Sequence, residues 1–420
     1  MNRILFTDAK DTATRIRKTV PTAKSVTSSV KRIIEDVRRR GDEAIHFWCQ
    51  KLDKLELRNF TVSDEEITHA RKTVKSDVLK TLKECADSVR KCAKEIVRNI
   101  KTVSFSFNHL DVSVEFAPVE SVLCYAPGGF FSLSSSLLMA SITADVAGVK
   151  NIYATSPNPS EHLLTAVSIS PIKRLYRLGG PQALAAFAFS TESIPKVDMI
   201  VGPGGVYVTE AKRILFGTVG IDILAGPSEL LIIADKGANT KTVALDLLAQ
   251  AEHSPDALSV LASPETELLD SVEKEMDSAL ESKEVPVWLK KKANKIVAVC
   301  AGLRESVGLA NSLAPEHIQL MVKEPDRLAR KLNNYGALFC GYENGAVFGD
   351  YCSATNHILP TASAARFSSA LSPLTFLRLR YKTTQKEDKM PPKFARCAAK
   401  FAELEGLYFH SKSAYLRLKT

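Results

Sequence analysis

From residue 112 to residue 234 short apolar runs alternate with turns, several of them glycine-bearing, and helical stretches, and few folds accommodate that alternation. Residues 112–117 (VSVEFA) alternate like a strand, and 121–125 (SVLCY) form a short apolar run. The turn APGG at 126–129 then leads through Ser134, Ser135 and Ser136 into a helical apolar segment, 137–149, before the next strand at 151–155. This is a βαβ unit with glycines at its first turn. The alternation continues through a strand at 174–178, a helix from about Pro181, a strand at 198–201, GPGG at 202–205, a helix to about Phe216 and a strand at 229–234. Strands that alternate with helices assemble into a parallel sheet covered on its faces, so the expected class is α/β.

Glycine turns between a strand and a helix let a phosphate approach the backbone at a helix N-terminus. PGG at 127–129, GGPQ at 179–182 and GPGG at 202–205 are therefore candidate nucleotide contacts, although the strict GxGxxG fingerprint is absent. Such turns are common in any α/β protein and do not by themselves select a dinucleotide.

A chain of 420 residues exceeds what one core usually serves, so two or more domains are expected. Before the alternating region, 25–52 and 64–100 read as two long helices; after it, strands are expected at 257–262, 295–300 and 336–341, and 373–420 reads as basic and helical. No internal repeat stands out. The net charge of +9 comes from Lys and Arg spread along helical faces such as 31–40 and 80–101, so no nucleic-acid partner is expected. No apolar run is long enough for a membrane span, and the apolar group at 4–6 is too short for a secretory signal. The cytoplasm is the expected location. Eight scattered cysteines without a CxxC pair read as reduced thiols.

The chemistry-bearing residues lie mostly in the second half. Ala244, Leu247, Leu248 and Ala251 form the apolar stripe of a helix that must stop before Pro255, which sets Gln250 and His253 one turn apart at its C-terminus. A helix C-terminus favours a cation nearby. Zinc needs about four N, O or S ligands, and Gln250, His253, Asp350 and His410 would supply them. Glu316 beside His317 offers an acid and a base in adjacent positions. The plainer reading, in which these polar groups simply satisfy the backbone, stays open on the residues alone.

Longer blocks carry a resemblance. YAPGG at 125–129, GGPQALAAFAFSTESIPKVDMIVGPG at 179–204, AGPSELLIIAD at 225–235, QAEHSPDA at 250–257, APEH at 314–317, GDYCSATNHILPT at 349–361 and EGLYFH at 405–410 resemble the histidinol dehydrogenases, in that family's order and over nearly the whole chain. The resemblance implies two Rossmann-like domains with parallel-rich sheets and helical N-terminal and C-terminal extensions. The implied division is an arm at 1–20, a zinc and substrate domain from 21–124 and 229–372, a nucleotide-binding-like domain at 125–228, and a segment at 373–420 that completes the partner subunit's site in a homodimer.

It further implies that zinc is held by Gln250, His253, Asp350 and His410, which with Ser228, His317 and Glu405 would form the substrate site. Glu316 and His317 would be the acid-base pair, and Tyr125 and Gln182 would contact NAD. The implied reaction is the four-electron oxidation of L-histidinol through histidinal to L-histidine with two NAD. His357, in NHILP, matches a family motif but not a ligand and reads as a supporting residue.

Departures from the family gather on the cofactor side. Gly205 stands where the family has an Asn that contacts NAD, Leu123 and Ala354 stand where Gly is common, and Phe130 and Phe131 stand where small or polar residues are usual. Two other readings therefore accompany the first: the same zinc and NAD chemistry on another small alcohol, and a zinc hydrolase or non-catalytic zinc protein that has lost NAD.

Overall fold

The computed structural model describes residues 1–20, 25–56, 59–107, 109–128, 133–386 and 391–418. Gly129, Phe130 and Phe131, named above, lie outside the described residues. Two parallel sheets carry the fold. Five strands lie in the order Arg174–Tyr176, Asn151–Thr155, Ser121–Tyr125, Met199–Val201 and Gly220–Ile221. Six lie in the order Asn2–Arg3, Val297–Cys300, Leu258–Ser263, Glu229–Ala234, His317–Met321 and Ala337–Cys340.

Apart from the edge strand Asn2–Arg3, the two sheets share one topology. In each, the first strand in sequence is central, the next two build outward on one side, and the last two on the other. That reversal of direction opens a crevice beside the central strand, the usual ligand position in a doubly wound sheet. The sequence shows no repeat, yet the strand order repeats.

Composition explains the layering. Glu229–Ala234 (ELLIIA) and Leu258–Ser263 (LSVLAS) are buried along their whole length, as parallel strands covered on both faces must be. Ser134–Val146 and Gly180–Phe189 carry apolar or small residues almost all round and are buried nearly throughout, which suits helices enclosed between a sheet and further helices.

Several expectations are corrected. The stretch 25–52 breaks into Thr27–Arg40 and Asp42–Trp48 at Gly41, whose φ of 55° ends the first helix. Glu192 fills the space where a Cβ on Gly41 would lie and accepts the Asp42 amide at 2.9 Å, so the corner is built from both sides. The stretch 64–100 breaks at Val74, which is extended, into Asp64–Thr73 and Ser76–Arg98. These four helices pack on the helices of the five-stranded sheet, and Ser121–Tyr125 is that sheet's central strand, so 27–98 and 121–125 join 125–228, while Ser88 Oγ also donates to the Cys352 carbonyl at 2.9 Å. The arm at 1–20 joins the six-stranded sheet instead, through Asn2–Arg3 at its edge and Ala9–Arg17 against Leu303–Leu313. The C-terminal segment is not all helix: Leu377–Gln385 is a strand, antiparallel to Leu110–Pro118, which pairs in turn with Val103–Phe107. Alternating side chains in LRLRYKTTQ fit that two-residue period. No helix among the described residues is long and apolar enough to cross a membrane.

The turn after Met199–Val201 is locked from beneath. Gly202 has φ 115°, and a Cβ there would lie 2.3 Å from the Tyr125 carbonyl oxygen. Its amide donates to Asp222 at 2.8 Å and its carbonyl accepts from Lys212 Nζ at 3.1 Å, while Lys212 and Asp222 pair with each other in full burial. Removing one partner of a buried ion pair leaves the other charge uncompensated. Lys212→Met should lower the unfolding free energy by about 3–5 kcal/mol, and Lys212→Met with Asp222→Leu should recover much of it. Denaturant unfolding of both variants checks this; equal losses would mean that the two residues do not act as a pair.

Candidate active site

The two sheets meet at opposite ends. Tyr125 and the 202–205 turn lie at the carboxyl end of the five-stranded sheet, whereas Glu229 and His317 open the central strands of the six-stranded sheet. A small cavity of about 140 Å³ lies where they meet, lined by Pro203 from the first sheet and by Ser228, His253, Glu316, His317 and Asp350 from the second. A larger cleft of about 760 Å³ adjoins it, sharing His253 and Asp350 and adding Gln250, Asp246 and Gln319.

Glu316 and His317 follow a sharp stop. The helix Leu303–Leu313 ends at Ala314 in the left-handed region (φ 46°), Pro315 prevents its continuation, and the strand begins at His317. Both residues are buried. Glu316 Oε2 accepts hydrogen bonds from Ser228 Oγ at 2.6 Å and the Glu229 amide at 2.9 Å. Those bonds favour the carboxylate, but burial outweighs them and pushes its pKa up to about 8.

His317 Nδ1 lies 3.2 Å from the Glu229 carbonyl oxygen, an acceptor only, so Nδ1 carries the proton. Nε2 is then the lone-pair nitrogen, buried and without a partner among the described residues. Burial also lowers the ring's affinity for a second proton. The result is a neutral imidazole with an unused lone pair in a cavity, which is the state a general base requires.

Gln250 lies in the last turn of Thr240–Glu252 and His253 caps it, as the sequence suggests. Gln250 Nε2 donates to Ser228 Oγ at 2.9 Å, which leaves the amide oxygen as its lone-pair donor. His253 Nε2 and Asp350 Oδ2 face each other at 3.7 Å, too far for a hydrogen bond. His253, Asp350 and Gln250 line the same cleft, so an imidazole nitrogen, a carboxylate and an amide oxygen, all donor types that zinc accepts, share one wall. The Asp350 carboxylate raises the pKa of His253; burial opposes ionisation of Asp350, yet its histidine neighbours hold it below the usual range.

Glu405 and His410 are not brought to this place within one chain. Neither lines either cavity, both are exposed, and the helices Pro392–Leu404 and Tyr408–Leu416 pack chiefly against each other. Accordingly, no group of three His, Cys, Asp or Glu side chains suited to a metal is gathered among the described residues.

Tyr125 and Gln182 lie beneath the Gly179–Gly180 turn rather than in a cavity wall. The Tyr125 hydroxyl accepts the Gly180 amide at 3.2 Å, and Gln182 Nε2 donates to Asp53 at 2.9 Å, leaving Gln182 Oε1 buried without a partner among the described residues. A Cβ on Gly205 would meet nothing within 4 Å, and the helix Val206–Leu215 that follows has no side-chain cap, so its first amides are free to meet an anion. His357 bonds Ser136 Oγ through Nε2 at 2.7 Å and the Asp350 carbonyl through Nδ1 at 2.9 Å, which makes it a brace for Asp350 and not a free ligand. Sequence reasoning missed Glu229, Lys212 and Asp222; the available signal was a charged residue where the periodicity requires burial.

A family model described as histidinol dehydrogenase matches residues 16–418. The histidinol dehydrogenase of Methanocaldococcus jannaschii is 37% identical over 404 residues, which cover 94% of this chain and 93% of that protein. That of Bacillus cereus is 35% identical over 430 residues, covering 99% of each. The crystal structure of histidinol dehydrogenase from Elizabethkingia anophelis matches this fold with a TM-score of 0.90 at 30% identity, over 100% of this chain and 98% of that one.

The raised pKa of Glu316 has a consequence for stability. A folded value near 8, above an unfolded value of about 4.3, means that the folded protein prefers the protonated acid. The stability this group contributes is full below about pH 4 and is lost as pH rises through about 8. Glu316→Gln should therefore gain in unfolding free energy relative to wild type between about pH 5 and about pH 9. Denaturant midpoints at the two pH values measure it, and a pH-independent difference would contradict the raised pKa.

Proposed function

This chain belongs to the histidinol dehydrogenase family, an oxidoreductase family of histidine biosynthesis, and on that premise we propose that Glu316 and His317 carry the proton transfers in its oxidation of L-histidinol. The observation that carries this assignment is the buried, unpartnered Nε2 of a neutral His317. The family is NAD-dependent, and NAD supplies the hydride acceptor. The glycine turns framed by Tyr125, Gln182 and Gly205 are the proposed place for it, at the carboxyl end of the five-stranded sheet. Gln250, His253, Asp350 and a partner subunit's copy of His410 would hold zinc, which binds substrate nitrogens and fixes the reacting carbon without taking electrons.

In the first oxidation His317 Nε2 accepts the hydroxyl proton as a hydride leaves the carbinol carbon, and histidinal results. Glu316, ionised above its pKa of about 8, then takes a proton from the water that adds to the aldehyde. The hydrate loses a second hydride and a proton, giving the carboxylate of L-histidine. Ser228 links the two functions, since its hydroxyl donates to Glu316 and accepts from Gln250. Enclosing the site between the two sheets protects the aldehyde between steps.

The proposed homodimer draws support from what a single chain leaves uncovered. Phe401, Leu404, Tyr408 and Phe409 are exposed on the C-terminal helices, Leu404 at 75% and Phe409 at 81%. Val103, Phe105 and Phe107 are exposed along one face of the antiparallel sheet, with Leu379 and Tyr381 on the same face in register. Contiguous apolar surface of this kind marks an interface. Glu405 and His410 from the partner would reach the cleft and complete the substrate and metal sites. The unpaired thiols fit a reducing compartment, and the cytoplasm is the proposed location.

The test is NADH formation by zinc-loaded protein given L-histidinol and saturating NAD, with NADH counted per histidine formed. About two NADH per histidine is expected, one for each hydride removed. No NADH with NAD binding intact would point to another alcohol, and no NAD binding would point to the loss at Gly205. For the shared site, His410→Asn and His253→Asn should each be inactive alone but recover on mixing. Random exchange gives about a quarter of the wild-type rate, because a mixed dimer holds one intact site of two. No recovery despite proven exchange would place each site within one chain.

A further inference from the structure

Glu316 and His317 are both held by the peptide groups of one residue, Glu229. Its amide donates to Glu316 Oε2 at 2.9 Å, and its carbonyl accepts Nδ1–H of His317 at 3.2 Å. Displacing Glu229 would loosen the acid and the base together. Glu229 is also the first residue of its strand and follows irregular backbone at 223–228, so regular pairing fixes it only from one side of the chain. Its side chain supplies the missing anchor.

That side chain is buried, with 4% exposure, and is bound by three donors. Arg17 approaches it through Nη1 and through Nη2 at 3.0 Å, and the Ala362 amide donates to Oε1 at 3.0 Å. Arg17 Nη2 donates as well to the Leu313 carbonyl at 2.7 Å. Leu313 ends the helix whose chain turns through Ala314 and Pro315 into Glu316. One guanidinium on Ala9–Arg17 therefore ties the start of the Glu229 strand to the approach of the Glu316 strand. Neither Arg17 nor Glu229 lines either cavity, so neither meets a substrate there.

The geometry points to Arg17 and Glu229 as a positioning pair for the reaction, with the guanidinium holding the Glu229 peptide where it aligns Glu316 and His317 at once. The inference rests on the assignment of the proton transfers to those two residues. It gives the N-terminal arm a role in catalysis, where a purely structural edge would affect stability alone. A paired fork explains why Arg stands here: a lysine would restore the charge but not the planar two-point hold on a carboxylate with a third bond to Leu313.

The experiment compares Arg17→Gln, Arg17→Lys and Glu229→Gln in the full-length, zinc-loaded enzyme, below the unfolding temperature of each. Misplacement of reacting groups by about 1 Å costs about 100-fold in rate, so kcat should fall by about 10- to 100-fold in Arg17→Gln. KM for histidinol and for NAD should stay within about twofold of wild type, because uniform binding is untouched. The rising limb of the pH profile should move to higher pH, since loss of the Glu229 amide removes a bond to ionised Glu316. Arg17→Lys should recover part of the rate. Glu229→Gln, which keeps the side-chain shape, should show the same pattern more weakly and carries the test if Arg17→Gln does not fold. Wild-type kcat in these variants with only a lower melting temperature would overturn the inference, as would a loss confined to KM. His317→Asn is measured in parallel: if it keeps hydride transfer, the underlying assignment falls; if it is dead while the Arg17 and Glu229 variants are normal, the positioning role alone falls.

Discussion

A carboxyl and an imidazole held side by side out of water are the demand that shapes this molecule. Burying such groups is expensive unless each has a partner, and a fully satisfied pair would have nothing left with which to react. Here the partners are chosen to leave one atom spare. Glu316 accepts two hydrogen bonds on a single oxygen, and His317 donates one from Nδ1, which commits the ring's tautomer and frees Nε2. All of those bonds come from Ser228 and Glu229, so the amino end of one strand carries the polar satisfaction of the site. That strand is apolar from Leu230 to Ala234 and packed on both faces, which gives the bonds a rigid base.

The shared strand order of the two sheets gives this arrangement its place. A doubly wound sheet offers its crevice at the carboxyl ends of its strands, and the five-stranded sheet does so, with Tyr125, the glycine turns and the locked Gly202 peptide on that side. The six-stranded sheet contributes the opposite end. The carboxyl end of one sheet thus faces an edge of the other where strands begin and where backbone amides and carbonyls hold side chains. The meeting encloses a small volume between the two sheets, and His357 braces it by bonding Ser136 of one sheet's helix and the Asp350 backbone of the other.

Much of this was legible in the residues, and the limits have physical causes. The parallel strands could be placed to within a few residues because each is a short apolar run bounded by turn residues, and Gln250 with His253 could be set at a helix end because Pro255 forbids continuation. The breaks at Gly41 and Val74 could not, since helical periodicity runs through both and the corner at Gly41 depends on Glu192, about 150 residues away in sequence. The strand Leu377–Gln385 escaped because it is exposed along nearly its whole length and has no buried apolar run to set it apart from the basic segment around it. The packing of 27–98 against the five-stranded sheet is a long-range choice among apolar faces, and one-dimensional patterning carries no information about it. Glu229 belonged to a recognised block, but its role lies in backbone groups that every residue possesses.

The departures from the family pattern at Gly205 and Ala354 act in opposite senses. At Ala354 the chain carries a Cβ at φ 63°, where Gly is common in the family, and a non-glycine residue in that region costs about 1 kcal/mol of strain in the fold itself. At Gly205 the side chain is missing, φ is −70°, and open space lies where it would project, so the fold loses nothing there. In the proposed cofactor site the loss would be one donor or acceptor to the bound molecule, worth about 0.5–1.5 kcal/mol, or roughly a factor of 2 to 13 in affinity. The turn does not depend on that side chain for its shape, because Lys212 and Asp222 hold both sides of the Gly202 peptide from the buried face. A preformed turn retains the backbone share of anion recognition. If the proposed cofactor lies at this turn, Gly205 would weaken the hold on it without altering the turn itself.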